Sequence, residues 1–96
     1  MKTAYLVAYD IVDDKRRTKL YKLLRGYGAH LQFSVFRCDL SDMRHVELLG
    51  AIQACISVKE DQVLVVDLGP NNGRADDCIK AIGKKYISPE RTVIVL

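Results

Sequence analysis

Alternating and run-like apolar positions divide the chain into strands, and two apolar stripes at helical spacing separate them. From Lys2 to Tyr9 only tyrosine hydroxyls interrupt the apolar character, with Ala4, Leu6 and Ala8 on one face and Tyr5, Val7 and Tyr9 on the other. Such a run predicts a central strand covered on both faces. It ends on Asp10. Asp13 or Asp14 then caps a helix running to about Tyr27, where Gly26 and Gly28 act as stop signals. Leu20, Leu23, Leu24 and Tyr27 keep the i, i+3, i+4, i+7 spacing of a buried stripe.

His30 to Leu40, HLQFSVFRCDL, reads as extended, with Phe33 and Val35 on one face and Ser34, Phe36 and Cys38 on the other. Its pattern fits one long bent strand or two short strands broken near Ser34. Ser41 or Asp42 opens a second helix ending near Ser57, with Leu48, Leu49, Ile52, Cys55 and Ile56 as its stripe. His45 lies one turn ahead of that stripe. No second His or Cys is spaced to help it, so it reads as a satisfied, partly buried side chain rather than a ligand.

Gln62 to Leu68, QVLVVDL, is a further strand, closed by the loop signal GPNNG at 69–73. That loop lacks the lysine and Ser/Thr of a phosphate loop. Cys78 to Gly83 stays open between a helical stripe through Ile79, Ile82 and Tyr86 and a short strand ending at Gly83. After a turn at Ser88-Pro89-Glu90, Thr92 to Leu96 forms a β-branched terminal strand that needs a pairing partner. A second subunit can supply one. The order strand, helix, extended segment, helix, strand predicts an α+β sandwich with both helices on one face of an antiparallel sheet, a ferredoxin-like βαββαβ arrangement.

Composition narrows the class. A chain of 96 residues forms one domain, spanning 1–96. A domain of this size buries only roughly 60 to 65% of its unfolded surface, yet 49% of its residues are hydrophobic, which favours a homodimer. No segment has the pattern of a cleaved leader or the length of a membrane span, so a cytoplasmic protein without membrane partners is expected. Cys38, Cys55 and Cys78 are odd in number and widely spaced, which argues against disulfides or zinc and makes them small buried hydrophobes.

Charge changes the picture more. Lys15, Arg16, Arg17, Lys19, Lys22 and Arg25 hold six of the fifteen basic residues in one acid-free segment, so a polyanion becomes a plausible partner. At about 100° per residue Lys15, Lys19 and Lys22 point to solvent, while Arg16 falls near the buried stripe and Arg17 at its flank. Arginines so placed need an anion, and Asp10, just ahead of the helix, is the nearest candidate. Asp10 itself stands at the rim of the core, where a buried strand leaves the sheet, a setting in which ligands and metals are held. Asp13 and Asp14 are better placed to start the helix, so Asp10 reads as functional. No nucleophile–base pair accompanies it, and metal-assisted hydrolysis fits better than covalent catalysis. Magnesium binds through one or two carboxylates while keeping waters and substrate phosphates. If a dimer axis passed near the first strand, Asp10 of each subunit could supply the pair.

The runs YDI at 9–11, DDKRR at 13–17, LLRGYG at 23–28 and QFSVF at 32–36, followed by Arg37-Cys38, resemble the small CRISPR-associated adaptation proteins, the endoribonuclease-type partners of the Cas integrase. The likeness spans the whole chain in order. It implies a ferredoxin-like homodimer in which 78–96 forms a C-terminal strand segment packing on the partner subunit. It also implies a magnesium or other divalent ion bridging Asp10 of both subunits, with Tyr9, Arg16, Arg17, Ser34 and Phe36 around it. Endonuclease activity on RNA or double-stranded DNA is implied for some members. The firmer implied role is in spacer acquisition: the dimer bridges integrase dimers and holds duplex DNA, with Lys15, Arg16, Arg17, Lys19, Lys22, Arg25 and Arg37 meeting phosphates. Several relatives have Glu at the position of Arg37, which weakens any catalytic acid there. The competing reading is a stand-alone toxin-like endoribonuclease or small regulatory module, for which the fold is permissive.

Overall fold

The computed structural model describes residues 1–88. In chain order it forms β1 (Thr3–Asp10), α1 (Asp14–Arg25), β2 (Ala29–Gln32), β3 (Val35–Leu40), α2 (Asp42–Cys55), β4 (Gln62–Pro70) and the short α3 (Arg74–Asp77). The strands make one sheet in the order β2-β3-β1-β4, antiparallel at every pairing. The extended segment 30–40 is therefore two strands, reversing at Phe33 and Ser34. Phe33 sits in that turn and is not the strand-face residue its alternation suggested.

Both helices begin where the sequence places their caps. The Asp13 side chain accepts from the Arg16 backbone N–H, and the Ser41 hydroxyl from that of Arg44, each satisfying a donor that the first helical turn leaves open. Leu20 and Leu24 of α1 and Leu48, Ile52 and Cys55 of α2 meet Tyr5, Val7 and Tyr9 of β1 and Phe36, Cys38 and Leu40 of β3. The stripes are narrower than predicted, since Leu23, Tyr27 and Ile56 pack only at the margin and Leu49 is exposed. His45 stacks flat on Tyr5, with ring centroids 4.1 Å apart. Burial pushes the Cys38 thiol up to about 11, so it stays a neutral core group. Cys78, by contrast, is exposed rather than buried.

The sheet's other face is unequally covered. Leu6 and Ala8 of β1 lie half-buried on it, and Leu6 lines a pocket with Ile79 and Tyr86. Leu64 and Val66, their register partners on β4, are exposed. The expectation that both faces of β1 are covered thus holds fully for the helical side alone. From Ile79 to Ser88 the chain forms neither helix nor strand. The terminal strand at Thr92 to Leu96 lies outside the described residues. Among the described residues no helix is long and apolar enough to cross a membrane.

Two glycines have structural roles. β4 runs on to Pro70, two residues past the expected end, and its register with β1 shifts between Ala4 and Tyr5, where Gly69 takes φ 90°. A bulge with a left-handed glycine permits this, and Pro70 is tolerated because β4 is an edge strand. Gly28, just after α1, lies so close to β3 that a Cβ there would stand 2.2 Å from the Arg37 carbonyl oxygen and 2.6 Å from the Cys38 sulfur. Gly28→Ala is expected to destabilise the domain by about 3 kcal/mol or more, at the upper end of overpacking costs because backbone must move. Urea unfolding checks this, and an unchanged midpoint would show that β3 yields freely.

Candidate active site

β1 outruns β3. Its pairing with β3 ends at Ala8 opposite Val35, whereas on the other side Tyr9 and Asp10 continue to pair with Val63 and Gln62. The Tyr9 N–H instead donates to the Ser34 carbonyl at 3.0 Å. This offset opens a cleft of about 350 Å³, lined by Tyr9, Asp10, Ile11, Arg17, Phe33 and Ser34. Four of the six residues expected at the site, Asp10, Tyr9, Arg17 and Ser34, line it together, and Arg16 does not. Phe36, the sixth, is fully buried beneath it, its ring 6.4 Å from that of Tyr9.

Asp10 is exposed, and among the described residues it has neither a hydrogen-bond partner nor a cation within 4.0 Å. The expected Arg16–Asp10 pairing does not form. Arg16 binds Asp61 through two nitrogens, Nε at 2.8 Å and Nη2 at 3.2 Å, with Glu60 at 3.8 Å. Asp61 also accepts the backbone N–H groups of Val12 and Ser57. The hydrogen bonds from Arg16, Ser57 and Val12 hold the Asp61 carboxyl well below the usual carboxylate range, outweighing its burial, and the Asp61 hydrogen bond raises the Arg16 pKa in turn. Arg16 thus fastens the start of α1 to the α2–β4 connection. Asp61 was not legible as its partner because 45 residues separate the two.

Arg17 turns the other way, towards the cleft. Its Nη2 donates to the Ile11 carbonyl at 3.0 Å and its Nη1 to Asp14 at 2.6 Å, while about half of the side chain stays exposed. The guanidinium is therefore oriented yet accessible. Burial, and then Tyr21, push the Tyr9 hydroxyl above its ordinary range against the lowering effect of Arg17. It therefore stays protonated at neutral pH and can donate a hydrogen bond.

The remaining cations separate into surface and interior. Lys15, Lys19 and Lys22 line an open groove on α1 with Asp14 and Thr18. Arg25 is exposed and donates to the Tyr21 hydroxyl at 3.0 Å. Arg37 is only 1% exposed, on the sheet face away from the helices, where it binds Asp39 at 3.0 Å, Asp76, the Tyr86 hydroxyl at 2.8 Å and the Ser88 hydroxyl at 3.4 Å. Burial opposes its charge, but the hydrogen bonds to Asp76, Tyr86 and Asp39 outweigh it and raise its pKa. Arg37, expected to meet phosphate, is buried within this chain, with its donors turned to Asp39, Asp76, Tyr86 and Ser88. Phe33 and Ile11 are cleft residues that the pattern did not single out. For Phe33 the available signal was its position beside Ser34, a turn-forming residue.

Among the described residues no three His, Cys, Asp or Glu side chains gather as a metal cluster. Asp10 is the carboxylate among the residues that line the cleft.

A βαββαβ chain folded as a β2-β3-β1-β4 antiparallel sheet under two helices is a ferredoxin-like domain, here with an exposed strand-end carboxylate beside an oriented arginine. Residues 3–76 match the family model described as CRISPR associated protein Cas2. The chain belongs to that family. It is 37% identical over 93 residues to a protein of Rhodospirillum rubrum named CRISPR-associated endoribonuclease Cas2 1, covering 97% of this chain and 90% of that one. It is 34% identical, over the full length of both, to the CRISPR-associated endoribonuclease Cas2 of Geobacter sulfurreducens. Among solved structures, a hypothetical protein of Thermus thermophilus superposes with a TM-score of 0.77 at 30% identity, covering 91% of this chain and 98% of that one. Streptococcus pyogenes Cas2 superposes at 0.72 and 27% identity, covering 83% and 99%.

Proposed function

We propose that this chain is a homodimeric, duplex-DNA-binding subunit of CRISPR spacer acquisition that bridges dimers of the Cas integrase, and that its strand-end cleft is a metal-dependent endonuclease site. The observation that carries the catalytic half is Asp10, an exposed carboxylate with no internal partner among the described residues, set beside Arg17 and Ser34. An exposed carboxylate that has no such partner keeps both oxygens available to an external cation. The relatives named endoribonucleases support hydrolysis of a phosphodiester as the chemistry.

The donor set fits a hard divalent ion. Asp10 and Ser34 offer oxygen only, and magnesium accepts one or two carboxylates while keeping water and phosphate oxygens. Asp10, with its counterpart from a second subunit, would hold the ion, which when bound supplies Lewis-acid polarisation of the phosphoryl group. The chain's own residues do the rest. Arg17, fixed by the Ile11 carbonyl, would hold a phosphate, Tyr9 would donate a hydrogen bond to one of its oxygens, and the ring of Phe36 would support Tyr9 from below. The exposed Leu64 and Val66 on the half-covered sheet face support dimerisation.

Lys15, Lys19 and Lys22 form the surface for duplex phosphates. Replacing all three by alanine is expected to flatten the slope of log affinity against log salt by about 2.7, at about 0.9 per lost phosphate contact. Anisotropy titrations on a labelled duplex measure it, and an unchanged slope would remove this face of α1 from the interface. Co-purification with the integrase encoded nearby tests the adaptation role. Absence of any complex, together with no duplex binding at moderate salt, would overturn it.

A further inference from the structure

Phe33 is 96% exposed at the tip of the β2–β3 turn and lines the same cleft as Asp10, Arg17 and Ser34. A ring so placed contributes almost nothing to the core, because almost none of its area leaves water. Its backbone, however, is fixed. The His30 Nε2–H donates to the Phe33 carbonyl at 2.8 Å, and the next carbonyl, that of Ser34, accepts the Tyr9 N–H at 3.0 Å. His30 is held in turn by ring contacts, edge-on to Tyr21 at 5.1 Å and tilted on Phe36 at 4.9 Å. The turn thus presents a rigidly carried, solvent-facing aromatic beside a guanidinium and a free carboxylate.

We infer that Phe33 is a stacking platform for an unpaired nucleobase, which selects single-stranded nucleic acid at the Asp10 cleft. An aromatic face beside a cationic group matches the two parts of a nucleotide, the base and its phosphate. In a duplex each base is already stacked between neighbours, so only an unpaired or splayed base can lie on Phe33. Duplex contacts fall instead to Lys15, Lys19 and Lys22 on the outer face of α1. One surface takes phosphates of any helix, and the other takes a strand with its bases free. The inference rests on the cleft being a nucleic-acid site, and it names which form of nucleic acid that site takes.

The test is binding to a short labelled single-stranded RNA, with chelator present so that cleavage does not contribute. Phe33→Ala is expected to weaken binding by about tenfold to a hundredfold, the range of losing one base–aromatic stack. Phe33→Tyr and Phe33→Trp should retain affinity, and the duplex affinity of Phe33→Ala should equal that of the parent. An abasic strand should bind the parent and Phe33→Ala alike. Single-strand affinity unchanged in Phe33→Ala, or lost equally for duplex, overturns the inference. Because Phe33 is outside the core, Phe33→Ala should melt with the parent, which separates lost stacking from lost structure. If Asp10→Ala still cleaves while Phe33→Ala loses single-strand binding, the catalytic reading of Asp10 falls and the stacking platform stands.

Discussion

Asp10→Ala is expected to lower magnesium-dependent cleavage by about three orders of magnitude, leaving the fold and duplex affinity unchanged. Metal polarisation of a phosphoryl oxygen supplies several kcal/mol of transition-state stabilisation, and each ~1.4 kcal/mol is tenfold in rate. The lost carboxylate is exposed and accepts no hydrogen bond among the described residues, so no buried group is stranded and the melting temperature should hold. Asp10→Asn should fail equally, because it keeps the shape and removes the charge that attracts the cation. Single-turnover cleavage across a magnesium titration, run beside thermal melts, gives both readouts. Cleavage that persists in Asp10→Ala would place the activity elsewhere in the chain or in a contaminating nuclease. Cleavage lost together with melting temperature would make Asp10 a structural residue.

Arg37→Ala should have the larger effect on stability, about 3–5 kcal/mol, the usual cost of removing one member of a buried ion-pair network. The guanidinium joins β3 to α3 and to the segment ending at Ser88 through Asp39, Asp76, Tyr86 and the Ser88 hydroxyl. Without it, Asp39 and Asp76 keep their charge on a covered sheet face and lose the cation opposite. For a domain of this size the melting temperature should fall by more than about 12 °C. Arg37→Lys should recover only part, since an ammonium cannot reproduce the planar fork that reaches four partners. Duplex binding per folded molecule should not change, because Arg37 is not at the surface. Loss of duplex binding at unaltered stability would return Arg37 to the nucleic-acid interface.

Helix starts and strand identities were legible because they depend on local rules. Asp13 and Ser41 cap α1 and α2 through their own next turn, and the i, i+3, i+4 stripes marked the core-facing residues. The break near Ser34 was visible only as an alternative, since nothing in the alternation of Gln32 to Phe36 distinguishes a bend from a reversal. The bulge at Gly69 and the continuation to Pro70 were hidden because GPNNG carries a loop signature, and only pairing with β1 turns its first two residues into strand.

The arginines show where sequence reading ends. Arg16, Arg17 and Arg37 have the same chemistry, and proximity along the chain pointed the first two at Asp10. Their real partners are Asp61 for Arg16, the Ile11 carbonyl and Asp14 for Arg17, and Asp39, Asp76 and Tyr86 for Arg37. By itself the sequence determined the types of β1, α1, α2 and β4, the antiparallel α+β class, the family and the acid at the end of the first strand, because each follows from periodicity or from a local motif. Only the tertiary structure decided which cations remain available and which close the fold. That choice depends on carboxylates brought together from 39 and 45 residues away, and on the two-residue offset between β1 and β3 that leaves Asp10, Arg17 and Phe33 facing one cleft.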